Sequence, residues 1–91
     1  MTVRVEYATQ LRVISGCAEE KVEIATPCTL SHLWQELVAR HGERWREAVL
    51  ADGHLRPGIL LFLNDESIPF DGALELRDRD RVCWLALVSG G

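Results

Sequence analysis

Thr29-Leu30-Ser31-His32-Leu33-Trp34-Gln35-Glu36-Leu37-Val38-Ala39-Arg40-His41-Gly42 lies near the middle of a 91-residue chain and has a helical period. Leu30, Leu33, Trp34, Leu37, Val38 and His41 fall at i, i+3, i+4, i+7, i+8 and i+11, which makes one apolar stripe. Thr29 is placed to act as N-cap, its hydroxyl accepting from a free first-turn N–H. Gly42 is a natural left-handed stop, and Glu36 with Arg40 forms an i,i+4 pair on the wet side. One long helix with one apolar stripe needs an apolar sheet face to bury against.

The flanking segments supply that sheet. Thr2–Ala8 alternates strictly, with Val3, Val5 and Tyr7 on one face and Thr2, Arg4 and Glu6 on the other, which predicts a half-buried strand. Residues 11–16 close on Gly16, able to turn at positive φ, and residues 21–25 alternate again. Two strands joined by about ten residues are most simply an antiparallel hairpin with a long loop, because parallel pairing needs a crossover. Beyond Gly42, Trp45, Ala48 and Val49 mark a shorter helical piece from Glu43 to about Ala51, ended by Asp52-Gly53. Pro57-Gly58 precedes the apolar run of residues 59–63, which Asn64-Asp65 closes; its length and bounding turns predict a strand. Ser67-Ile68 adds a short edge strand, stopped by Pro69. The last run, Val82-Cys83-Trp84-Leu85-Ala86-Leu87-Val88, is apolar on both faces and reads as a central strand.

This order predicts an α+β fold, a β-grasp: a mixed four- to five-stranded sheet with one main helix packed across one face. The expected organisation is one domain over residues 1–88 and a flexible Ser-Gly-Gly tail over 89–91. The helix covers one sheet face only, yet both apolar strands carry hydrophobic residues in each direction. Leu60 and Phe62, or else their neighbours, point away from the helix, as do either Cys83, Leu85 and Leu87 or the alternate set. An exposed apolar patch of this kind marks a partner surface, here assigned to Phe62, Leu60, Leu85 and Leu87.

Composition narrows the function classes. At 47% hydrophobic and 26% charged residues the chain is no disordered segment, and it contains no run near the ~20 apolar residues that span a bilayer. The charged start, Val3-Arg4-Val5-Glu6, is unlike a signal peptide. A net charge of −4 argues against a nucleic-acid partner, whose phosphates need a basic footprint. Cys17, Cys28 and Cys83 are odd in number and widely spaced, which predicts neither a disulfide framework nor a zinc site and favours a reducing cytoplasm.

Catalytic machinery is not legible. The chain has no phosphate-binding glycine loop, paired-His metal motif or nucleophile elbow. His32 and His54 read as surface residues, His41 as the half-buried or cationic end of the stripe, and Cys17 as a small neutral loop residue. The expectation is therefore no catalytic residue, no metal and no cofactor bound by this chain. What remains is the C-terminus. Three residues past a central strand reach about 10 Å, and Gly90 and Gly91, lacking Cβ, can pass a narrow channel. The functional reading makes the α-carboxylate of Gly91 the reactive group. It is ionised at neutral pH, with a typical pKa near 3.5, and so a poor electrophile until activated. Adenylation by ATP would activate it, in a separate enzyme that supplies Mg²⁺ and phosphate stabilisation.

The stretch from Leu76 to Gly91, Leu-Arg-Asp-Arg-Asp-Arg-Val-Cys-Trp-Leu-Ala-Leu-Val-Ser-Gly-Gly, resembles the end of the MoaD/ThiS ubiquitin-like sulfur carriers, most closely the small subunit of molybdopterin synthase. Leu76, Asp78, Asp80, Val82, Val88, Ser89, Gly90 and Gly91 match that pattern without a gap. Arg79 replaces the family's turn glycine, so the turn is of another type or strained, and Ala86-Leu87 stand where two prolines are common. The resemblance implies a non-catalytic sulfur carrier whose Gly91 is adenylated and converted to a thiocarboxylate, with Gly90 and Ser89 threading the tail. It implies a ubiquitin-activating-type adenylating enzyme as partner. It also implies a sulfur acceptor, the molybdopterin synthase large subunit or another enzyme. Two alternatives share the fold: a protein modifier joined to targets through Gly91, and a passive β-grasp adaptor.

Overall fold

A computed structural model describes residues 1–87 of the chain. The elements in order are β1 (Thr2–Ala8), α1 (Gln10–Ser15), β2 (Glu19–Glu23), β3 (Cys28–Thr29), α2 (Leu30–Val49), β4 (Leu50–Ala51), β5 (His54–Leu55), β6 (Ile59–Leu63), β7 (Glu66–Ile68), β8 (Glu75–Leu76) and β9 (Arg81–Ala86). β2, β1, β9, β6 and β7 lie side by side in one five-stranded sheet, and β3 with β8 and β4 with β5 form two-residue ladders beside it. β1 pairs antiparallel with β2 but parallel with the central β9, which makes the sheet mixed as expected. Among the described residues no helix is long and apolar enough to cross a membrane.

α2 begins where its sequence says. Thr29 Oγ1 accepts the His32 N–H at 3.3 Å, and His32 Nδ1 accepts the Thr29 N–H at 3.2 Å. His32, read as a plain surface residue, is thus the second half of a capping box. Leu30, Leu33 and Leu37 are fully buried, and Trp34 and Val38 half-buried beside them. Gly42 breaks the helix at φ 81, ψ −169, and the following turns bring Trp45 and Val49 into the same core. Against this layer the sheet presents Val3, Val5, Tyr7, Val22, Leu61, Val82, Trp84 and Ala86. All three tryptophans meet there, with ring centroids 5.5–5.9 Å apart.

Several expectations are corrected. The connection after β1 is not a plain loop: Leu11, buried, and Ile14 fold it into α1, which Gly16 caps at φ 81 through its N–H to the Arg12 carbonyl. Six residues hold too few apolar positions for the helical period to emerge. β2 runs two residues earlier than the alternation of residues 21–25 suggests. Residues 50–51 belong to a small hairpin instead of the helix, because Asp52 and Gly53 both take positive φ, the geometry of a tight two-residue turn. The last strand ends at Ala86; Leu87 follows it exposed, and Val88 lies outside the described residues.

The turn before β9 explains the Asp78-Arg79-Asp80 pattern. Asp78 Oδ1 accepts the Thr2 N–H at 2.8 Å, and the Arg79 N–H donates to the Thr2 carbonyl at 2.7 Å. Asp80 accepts the Arg77 N–H and the Asn64 side-chain amide. Both carboxylates therefore tie the start of the central strand to its neighbours. Arg79 sits between them at φ 70, so the backbone is strained there and keeps the left-handed shape that a glycine would adopt freely.

Candidate functional site

Strand alternation divides β9 cleanly. Val82, Trp84 and Ala86 point to the helix side and are buried, whereas Arg81, Cys83 and Leu85 take the opposite, uncovered face. Register places Leu60 beside Leu85 and Phe62 beside Cys83 on that face, with Ala8 and Glu6 on the other flank. Of the two sets left open by the sequence, the structure thus selects Leu60, Phe62, Cys83 and Leu85, each half-buried. Their neighbours Ile59, Leu61 and Leu63 pack against the core instead. Leu87, the fourth residue assigned to this face, is 57% exposed just beyond the strand. The result is one apolar area on the sheet face opposite α2, which no helix among the described residues covers.

This area borders the end of the central strand at Ala86 and Leu87. Thr9, at φ 58 and ψ −133, continues the β1–β9 ladder with its side chain: Thr9 Oγ1 accepts the Ala86 N–H at 3.1 Å and donates to the Ala86 carbonyl. On the other side the Leu87 N–H donates to the Gly58 carbonyl at 2.7 Å. Ala86 and Leu87 are therefore held from both flanks. Nothing in the sequence pattern marked Thr9; its position after an alternating strand reads as an ordinary turn. Ser89, Gly90 and Gly91 lie outside the described residues.

A second polar cluster lies on the helix side. Tyr7 donates to Glu20 Oε2 at 2.6 Å, His41 Nε2 lies 2.7 Å from the same oxygen, and Arg40 donates to Glu20 Oε1 at 2.7 Å. A carboxylate only accepts, so His41 carries its proton on Nε2. Burial, with the Glu20 hydrogen bond second, pushes the Tyr7 phenol far above its ordinary range. Burial also raises the thiols of Cys17, Cys28 and Cys83, so none is an activated thiolate. Among the described residues no group of three or more His, Cys, Asp or Glu is arranged to hold a metal.

The cluster is a structural tie between β2 and α2, with a pH signature. Burial works to raise the Glu20 carboxyl, but the hydrogen bonds from Tyr7, Arg40 and His41 together outweigh it and hold the group below its usual value. The unfolded chain therefore takes up this proton first as pH falls. The Glu20 contribution is fully present above about pH 4.3 and is lost as pH drops through the lower folded value. Melting temperature is expected to fall below that pH, and to fall less steeply in Glu20→Gln, which thermal scans across pH 2–6 would read.

Comparison with known proteins bears on this geometry. The ThiS family model matches residues 5–91. Among solved structures, the putative molybdopterin converting factor subunit 1 from Pyrococcus furiosus is 27% identical, with TM-score 0.78 over 97% of this chain and 99% of that one. The Amycolatopsis orientalis BexX/CysO complex contains a chain 28% identical, with TM-score 0.72 over 98% and 99%. SAMP1 from Haloferax volcanii superposes with TM-score 0.82 over the whole of both chains at 20% identity, a likeness of fold. No curated protein matches the chain by sequence.

Proposed function

The chain belongs to the ThiS family, whose members are small sulfur carriers or modifiers and not catalysts, and we propose that it carries sulfur as a thiocarboxylate on Gly91. The observation that carries this reading is the family match across residues 5–91, which includes the terminal glycine pair. In the proposed cycle a carboxylate oxygen of Gly91 attacks the α-phosphorus of ATP in a partner enzyme, and pyrophosphate leaves. Sulfide from a sulfur donor then attacks the acyl carbon, and AMP leaves with the C–O bonding pair. Mg²⁺ and phosphate stabilisation belong to the partner. This chain contributes the apolar sheet face of Leu60, Phe62, Leu85 and Leu87 for docking, and a departure point fixed by Thr9 and Gly58. Gly90 and Ser89 thread the reacting end.

The BexX/CysO complex, which contains a chain 28% identical to this one, supports a protein partner in general. The 27% identity with a putative molybdopterin converting factor subunit supports a molybdopterin precursor as the sulfur's destination. The comparable identity with the chain in the BexX/CysO complex supports a different protein as sulfur acceptor, and is the second reading. One experiment tests the proposal. The full chain is incubated with the adenylating enzyme of its own cell, ATP and a sulfide source, and its intact mass is measured. Exchange of one oxygen for one sulfur is expected at the terminal residue; an unchanged mass beside an enzyme that consumes ATP would refute it. Adding a molybdopterin synthase large subunit with its precursor, or the alternative acceptor protein, then separates the two destinations by which one discharges the sulfur.

A further inference from the structure

The uncovered face is apolar at one end only. At the other, register sets Lys21 opposite Arg4 and Arg4 opposite Arg81, so three cations stand abreast on β2, β1 and β9. Adjacent strands are about 4.8 Å apart, and like charges directly opposite one another destabilise a sheet. Arg79 and Asn64, from the turns at the same end, join Thr2 and this row around a cavity of about 470 Å³. Of the six described residues that line it, four are cations and none is a carboxylate, in a chain whose net charge is −4. Arg81 is held by Glu6 at 3.0 Å and by Asp65, and Arg4 lies 3.7 Å from Glu19. Lys21 and Arg79 have no ion-pair partner among the described residues. Arg79 moreover holds its guanidinium there from φ 70, at a backbone cost that glycine would avoid.

We propose that this cavity receives an acidic segment of the partner protein, carrying two or more carboxylates close together in sequence. The identity of the occupant as a protein rests on the docking reading of the same face: Arg81 lies two residues from Cys83 and four from Leu85 along one strand, so the cavity continues the apolar area. Charge sets the sign of the occupant, and the surroundings set its kind. Glu6, Glu19, Glu23, Asp65, Asp78 and Asp80 ring the site and would repel an extended phosphate backbone. A short acidic segment coming from the apolar side crosses that ring once, past Glu6, to reach Lys21 and Arg79, which have no ion-pair partner among the described residues, and an Arg fork suits carboxylates.

The test uses the full chain and a fluorescein-labelled hexaglutamate peptide, followed by anisotropy at low and high salt. Saturable binding that weakens with salt is expected, with Kd raised about tenfold in Lys21→Glu, a surface charge reversal. Arg79→Gly is expected to bind more weakly while melting a few degrees higher, as relief of the left-handed strain requires. A residue with only a structural role would not separate those two readouts. Wild-type affinity in Lys21→Glu or Arg79→Gly would overturn the proposal, as would tighter binding of an oligouridine of equal charge or competition by inorganic phosphate at equal concentration. Leu85→Asp keeps the failures distinct. It is expected to bind the peptide normally but to lose activation by the adenylating enzyme at every salt concentration. Lys21→Glu is expected to raise that enzyme's KM about tenfold at low salt only. Normal activation of Leu85→Asp would sink the docking reading and leave the peptide result to stand alone.

Discussion

Deletion of Gly91 is expected to abolish thiocarboxylate formation without altering the melting temperature. The buried core closes at Ala86, five residues before the deleted position, and the hydrogen bonds of Thr9 and Gly58 grip Ala86 and Leu87. No described core contact is therefore removed. The reacting carboxylate, by contrast, retreats by about 3.5 Å along the chain. Since a misplacement of about 1 Å can cost 10²-fold in rate, the loss of activation is expected to exceed 10²-fold. Intact-mass analysis after incubation with the adenylating enzyme gives the first number and a thermal melt the second. A variant that still gains sulfur, or one that unfolds several degrees earlier, would remove Gly91 from its assigned role.

Trp45→Ala has the largest expected effect on stability. Trp45 is fully buried, and its ring meets Tyr7 at 5.2 Å, Trp34 at 5.9 Å and Trp84 at 5.6 Å between centroids. Removing such a ring from a packed interior typically costs about 3–5 kcal/mol, a large part of the 5–15 kcal/mol that holds a domain folded. The indole N–H of Trp45 finds no acceptor among the described residues, and neither does that of Trp84. Trp45→Phe keeps an aromatic ring in the cluster and deletes the orphaned donor, so its loss is expected to be clearly smaller than that of alanine. Urea unfolding followed by circular dichroism would rank the two. Equal losses would mean that a phenyl ring recovers none of the indole's packing and that deleting the orphaned donor returns nothing.

The fold was largely legible because its main elements have clean periods. The helix stripe from Leu30 to Val38 and the set Val3, Val5 and Tyr7 each face the core along their length, and the all-apolar run before Ala86 is bounded by polar turns. Elements too short for a period escaped: α1, with two useful apolar positions, and the two-residue ladders of β3 with β8 and β4 with β5. Alternation also overran where it had no stop. β9 ends at Ala86 although Leu87 is apolar, because β1 ends at Ala8 and only the Thr9 side chain extends the pairing.

The proposed site divides along the same line. Chain order and residue type alone determined the α+β class, the helix caps and the candidate reactive end at Gly90-Gly91, since each is a local property of consecutive residues. Which hydrophobic set faces outward was left open, because a strand that is apolar in both directions has no internal sign. Only packing against α2 decided it, by drawing Leu61, Val82 and Trp84 inward and leaving Leu60, Phe62, Cys83 and Leu85 out. The row of Lys21, Arg4 and Arg81 was likewise invisible in a chain of net negative charge. Those residues are far apart in sequence, and it is the register between three strands that brings their charges together.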